Sequence, residues 1–205
     1  MDADPVEIRV LGCLIEKQRT TPDAYPLSIN GLRLACNQST NRDPVVDYDE
    51  PTIRRGLDGL SRRGWARLAS GPGSRAVKYR HLFDEALRLG DDEMAVLAVL
   101  MLRGPQTSGE LKQRTERLHR LESLEEIDGV LSRLAERELV ERQPRRPGQK
   151  EDRYAHLLGA EARDLEASAV DDVDDDRLAA LEDAVARLRD EVQALRDELG
   201  ALRTR

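Results

Sequence analysis

Residues 52–67 read TIRRGLDGLSRRGWAR, and residues 126–141 read EIDGVLSRLAERELVE. Laid over each other, they place Ile53 on Ile127, Leu57 on Leu131, Leu60 on Leu134 and Trp65 on Leu139. In both, apolar residues recur at i, i+4 and i+7, the spacing of one face of a 3.6-residue helix. With one residue of slippage the match continues. PGSRAVKYRHLF from Pro72 lies over PGQKEDRYAHLL from Pro147, superposing Tyr79 on Tyr154 and His81 on His156. Strand-like WARLAS and VKYRHLF flank GPGSRA, as LVERQP and DRYAHLL flank RRPGQK. Each copy therefore predicts a helix followed by a β-hairpin with a basic tip.

Two further helical segments precede each copy. Asp4 can cap a helix with Pro5 at its first position and Glu7 at its third, followed by apolar Ile8, Leu11, Leu14 and Ile15. LSINGLRLACNQ offers Ile29, Leu32, Ala35 and Cys36 as the inner face of a second helix. In the other half, DDEMAVLAVLMLRG is almost wholly apolar, while Thr107–Glu110 and Ser123–Glu126 have the spacing of capping boxes. Three helices followed by a two-stranded wing form the winged-helix arrangement, whose third helix often reads DNA. The expected fold class is mainly α with small β-wings (α+β). Residues 1–88 and 89–158 make two tandem winged-helix domains, followed by an acidic linker at 159–176 and a coiled-coil helix at 177–203.

Between the first and third helices runs LIEKQRTTPDAYPLSINGLRLACNQSTNRDPV, Leu14 to Val45, dense in residues that elsewhere mark sites. Its prolines stiffen a loop, and the polar side chains of NQSTNRD can satisfy turn backbone, so the stretch is expected to hold structure and not to do chemistry. These blocks, with RGPQTSGEL and PGQKEDRYAHLL, resemble the YceH family of bacterial proteins over about residues 5–158. The resemblance implies tandem winged-helix domains and carries over no catalytic or ligand residues.

Charge is uneven along the chain. The net formal charge is −7, with 36% charged and 3% aromatic residues, so the core must be aliphatic. Residues 1–90 carry a net +2, residues 91–157 a net −2 and residues 158–205 a net −7. Within 52–80, eight basic side chains face Asp58 alone. That local patch is the electrostatic footprint expected for nucleic acid. With Ile53, Leu57 and Leu60 inward, Arg54, Arg55, Asp58, Ser61 and Arg62 point outward, and Thr52 stands at the helix start. Their counterparts Asp128, Gly129 and Glu136 are not basic, so only the first copy looks fitted to DNA. Wing residues Arg75 and Lys78, and Arg145, Arg146, Lys150 and Arg153 in the second copy, are candidate phosphate contacts. The competing reading is a solvated arginine-rich face with hairpins kept basic against edge pairing. Gly56 and Gly59 interrupt the helix, either for close packing or for close approach of a partner backbone.

Other residues are expected to be structural. His81 and His156 suggest a duplicated hydrogen bond; Cys13 and Cys36 suit a reduced, buried role; no metal-ligand spacing, Walker loop or nucleophile constellation exists. No cofactor, metal or catalytic activity is expected. An acidic start, MDADPVE, without an apolar leader predicts a cytoplasmic protein with no membrane association. In the tail, Leu178, Val185, Val192 and Leu199 fall at heptad a positions, and Leu181, Leu188, Leu195 and Leu202 at d. Attractive pairs Arg177–Glu182, Glu191–Arg196 and Glu198–Arg203 favour a parallel homodimer, the alternative being one amphipathic helix folded back on the body. The expected function is that of a dimeric regulator-like protein binding double-stranded DNA; the rival is a non-catalytic interaction scaffold like those of chromosome organisation.

Overall fold

The computed structural model describes residues 3–69, 77–145 and 151–159. The wing residues Arg75, Arg146 and Lys150, the linker beyond Gly159 and the heptad segment from Leu178 to Leu202 lie outside the described residues. The chain is a mixed α/β structure whose described part holds seven α-helices and two small antiparallel sheets. Helix α1 (Pro5–Thr20) leads through a 3-10 turn to β1 (Leu27–Ser28), α2 (Ile29–Cys36), α3 (Glu50–Arg62), β2 (Ala66–Leu68) and β3 (Lys78–His81). The short α4 (Phe83–Leu87) connects to α5 (Asp91–Arg103), α6 (Ser108–Thr115), α7 (Leu124–Glu136), β4 (Val140–Gln143) and β5 (Arg153–His156).

The duplication seen in the sequence recurs bond for bond in the backbone. Ala66 pairs with His81 and Leu68 with Tyr79; in the second copy Val140 pairs with His156 and Arg142 with Tyr154. The N–H of Trp65 donates to Leu60 O at 2.9 Å, and that of Leu139 to Leu134 O at 2.9 Å. Leu82 N–H donates to Trp65 O, and Leu157 N–H to Leu139 O. Even the third strand has a remnant: β1 pairs Leu27 with Tyr79, and Gln106 makes an isolated bridge with Tyr154. The turn after each third helix passes through the left-handed region, at Gly64 (φ 72°) in one copy and at Glu138 (φ 54°) in the other. Glycine adopts that conformation freely and glutamate does so at a cost.

Caps follow the sequence with one difference. Asp4 accepts from Glu7 N–H while Glu7 Oε2 accepts from Asp4 N–H, both at 2.8 Å, and Thr107 and Glu110 repeat the arrangement. Ser123 does accept from Glu126 N–H, but the Glu126 carboxylate turns to Glu122 N–H, so this third box is half formed.

The core is broader than the expected stripes. Besides Ile8, Leu11, Leu14 and Ile15, α1 buries Val10 and Cys13, because α2, α3 and α5 pack around it together. α5 is buried from Glu93 to Leu102. The two helices run the core of one copy into the core of the other, and the described residues fall in one compact unit. At the seam a Cβ on Gly12 would lie 3.0 Å from Leu102 and 3.2 Å from Met101 Cβ, so the small residue there sets how closely α1 and α5 approach.

Candidate nucleic-acid interface

Helix α3 starts because Asp49, in extended conformation, accepts from Thr52 N–H at 2.9 Å, and Pro51 occupies a position whose N–H no turn needs. The Thr52 side chain also bonds Asp49, which holds that carboxyl below its usual range. Thr52, expected to touch DNA, is thus half-buried and used by the cap. Asp47, Asp49 and Glu50 are exposed at this end, so the positive face of α3 begins one turn in, at Arg54 and Arg55. Arg54, Arg55, Asp58, Ser61 and Arg62 are all exposed, as the spacing required, while Ile53, Leu57 and Leu60 are buried.

The two glycines of α3 face α1. A Cβ on Gly56 would meet Val6 Cγ1 at 2.9 Å, and one on Gly59 would fall 1.7 Å from Glu7 Oε1. Close helix packing accounts for both. Glu7 is held there between the α1 cap and the Arg63 guanidinium, 3.3 Å away, which also lies over the Trp65 ring.

The second copy serves as an internal control on the basic patch. Arg137 stands where Arg63 stands, and it pairs at 3.5 Å with Glu93, the residue at the third position of α5, as Glu7 is of α1. Arg63 therefore belongs to a structural ion pair that the fold makes twice. Arg133 is likewise engaged by Asp92 and Glu93. Arg54, Arg55 and Arg62 have no such duplicate. Arg54 reaches Glu50 at 3.6 Å across exposed surface, a weak pair, whereas Arg55 and Arg62 make no ion pair among the described residues. On α7 the corresponding Asp128 accepts from Ser108 Oγ at 2.8 Å.

The first hairpin adds a feature that helix spacing did not reveal. In the β2–β3 register Arg67 lies directly opposite Arg80, two like charges on one face, an arrangement that costs stability unless something anionic lies nearby. Glu85 takes up Arg80 at 2.6 Å; Arg67 is exposed. Alternation along a strand could have found this pair had the register been read across the hairpin. Lys78 begins β3, half-buried. In the second hairpin Asp152 binds both Arg142 and Arg145, the latter at 3.2 Å, and Arg153 turns inward to Pro105 O and Glu110. Of the wing cations expected there, Arg145 is exposed and shares the single carboxylate of Asp152 with Arg142, and Arg153 is a brace.

The stretch from Leu14 to Val45 holds the loop that delivers α3. Glu16 and Arg42, both almost fully buried, bond at 2.5 and 3.2 Å. Arg42 also donates to Ala35 O, Asn41 O and Gln38 Oε1. Burial alone would raise the Glu16 carboxyl, but the bonds and charge of Arg42, with Arg117 and Lys17, hold it below its ordinary value. Asn37 clamps Tyr48 by two bonds of 2.9 Å, and Arg9 donates to Pro44 O at 2.7 Å. Cys13 and Cys36 are free, fully buried and hydrogen-bonded to each other, which with burial pushes the Cys36 thiol up. His81 bonds Gln18 at 2.6 Å, whereas His156 accepts weakly from Leu158 N–H, so the two equivalent histidines make different bonds. Burial lowers both to about 4. Among the described residues no group of His, Cys, Asp and Glu is arranged to hold a metal, and no helix is long and apolar enough to cross a membrane.

Residues 3–149 match a family profile described as a protein of unknown function, DUF480. The chain is 54% identical over 157 residues to a UPF0502 protein of Opitutus terrae, covering 75% of this chain and 68% of that one. It is 48% identical to a UPF0502 protein of Citrifermentans bemidjiense, covering 87% of this chain and 86% of the relative. A third, from Shewanella amazonensis, is 44% identical over 88% of this chain and 90% of its own length.

Proposed function

We propose that this chain, which belongs to the DUF480 family, is a non-catalytic DNA-binding protein built from two winged-helix units, the fold alone being what its resemblance to the YceH family implied. Its first unit would meet double-stranded DNA with α3 and the β2–β3 wing, and its heptad segment would join two chains. The carrying observation is that Arg55 and Arg62 stand exposed on the outer face of α3 with no ion pair among the described residues. The matching surface of α7 carries Gly129 and Glu136, so the fold itself does not call for arginine at those positions. Arg54 and Arg67 extend the face, and phosphate would pair with Arg67, whose cross-strand neighbour Arg80 is already taken up by Glu85. Ser61, exposed between Arg54 and Arg62 along the helix, offers a hydroxyl to the same backbone.

Anisotropy of labelled random duplex DNA, titrated with the full chain at several salt concentrations, tests this reading. Arg55→Glu with Arg62→Glu should lower affinity by about tenfold or more and reduce the salt slope by about 2, near 0.9 for each phosphate that is no longer neutralised. A wild-type chain that does not bind, or a double variant that binds equally well, would refute it. The scaffold reading draws on Leu68 and Val77, 61% and 52% exposed at the loop-side ends of the first hairpin's strands, which a protein partner would cover.

A further inference from the structure

Beyond the DNA-facing surface, one cleft collects arginines with no evident structural need for all of them. It has a volume of about 590 Å³ and lies where α1, the α2–α3 loop, α5 and α6 meet. Arg103, Arg114 and Arg117 line it, with Glu16, Asn41 and Gln113, above a floor of Val99, Leu102 and Leu118. The carboxylates there are overcommitted. Glu16 already binds buried Arg42 in two places and must also take Arg117. Arg114 shares Glu110 with Arg153, at 3.3 and 3.1 Å. Exposed Glu116 also lines the cleft and offsets one of its cations. The Arg103 guanidinium makes no ion pair among the described residues and donates there to the amide oxygen of Asn41, at 2.9 Å.

We infer that this cleft binds a small organic anion, whose carboxylate or phosphate oxygens lie between Arg103 and Arg117 while its carbon skeleton rests on Val99, Leu102 and Leu118. Guanidinium forks suit either group in a bidentate manner, and a cavity of this size accommodates a metabolite-sized molecule. Partial burial lowers the Arg103 pKa, and the positive charges of Arg114, Arg117 and Arg42 lower it further against the smaller opposing pull of Asp43, so an anion entering the cleft relieves existing repulsion. The site is not isolated from the rest of the fold. Asn41, which takes a left-handed φ of 58°, and Arg42 sit in the loop leading to α3, and a ligand competes with Asn41 and Glu16 for the same guanidinium groups. Binding is therefore linked to the placement of that loop.

Isothermal titration of the full chain with citrate and, separately, with inorganic phosphate, each at constant ionic strength set with chloride, tests the site. Saturable binding of at least one is expected, with preference for citrate if planar carboxylates fit better and for phosphate if a tetrahedral group does. Arg103→Gln should weaken it by about tenfold or more. Arg55→Glu, on the proposed DNA face, should leave it unchanged, so the two readings can fail separately. The absence of saturable heat with both anions, or equal binding by Arg103→Gln with an unaltered melting temperature, would overturn the inference.

Discussion

Replacing Gly59 with alanine should destabilise the protein, although alanine is the better helix former by about 1 kcal/mol. The added methyl would fall 1.7 Å from Glu7 Oε1 and 2.6 Å from Glu7 Cδ. Glu7 cannot simply swing away, because its carboxylate closes the α1 cap on Asp4 N–H and pairs with Arg63 while only 5% exposed. Either α1 and α3 separate or the cap and ion pair break. Overpacking costs about 1–3 kcal/mol, and an approach of 1.7 Å to a held carboxylate belongs in the upper part of that range, at about 2–3 kcal/mol, so after the propensity gain a net loss of about 1–2 kcal/mol remains. For a unit of this size that lowers the melting temperature by about 2–8 °C. Gly129→Ala on α7 is the control. Only Arg133 Nη1, at 3.9 Å, lies within reach of its Cβ, so stability should rise by up to about 1 kcal/mol. Thermal unfolding followed by circular dichroism measures both. A Gly59→Ala protein as stable as wild type would refute the packing account. If it also failed to bind DNA, glycine would be serving the approach of a partner backbone instead.

Glu138→Gly should stabilise by about 1 kcal/mol, read as a raised urea midpoint, since the residue holds φ 54° where the first copy has Gly64; an unchanged midpoint would mean the turn is not strained. Stability should also fall as pH drops from about 6.5 to 4. His81 and His156 have folded pKa values of about 4, so in that window the unfolded chain binds more protons and stability rises with pH. For the two together the slope approaches about 2 kcal/mol per pH unit, and His156→Gln should halve it in urea titrations across the window; a flat profile would show the histidines charging freely in the folded state.

The fates of individual arginines show which parts of the candidate site were legible in sequence. That Arg54, Arg55 and Arg62 would face outward followed from the i, i+4, i+7 spacing of Ile53, Leu57 and Leu60, since the side of a helix is set by its 3.6-residue period. Arg63, one position further, belongs to the same basic run, as Arg153 belongs to the second hairpin. Their partners Glu7 and Glu110 come from segments 56 and 43 residues away, a pairing that local pattern cannot announce. Thr52 does stand in the first turn of α3, and its bond to Asp49 was not foreseen because a residue that suits phosphate contact also suits a helix cap.

The sequence by itself determined the main helices, most of their caps, the two hairpins and the shared plan of the two halves, because periodicity, capping and turn chemistry act between residues a few positions apart. The repeated hydrogen bonds at Trp65 and Leu139 are the direct consequence. Only the tertiary structure decided that α1 and α5 join both halves in one core, that Glu16 is shared by Arg42 and Arg117 across as many as 101 residues of chain, and which cations remain open to a ligand. Close approach and charge pairing depend on distance in space. Once the core has brought remote segments together, a guanidinium beside a buried carboxylate is bound, and one facing water can meet an incoming anion.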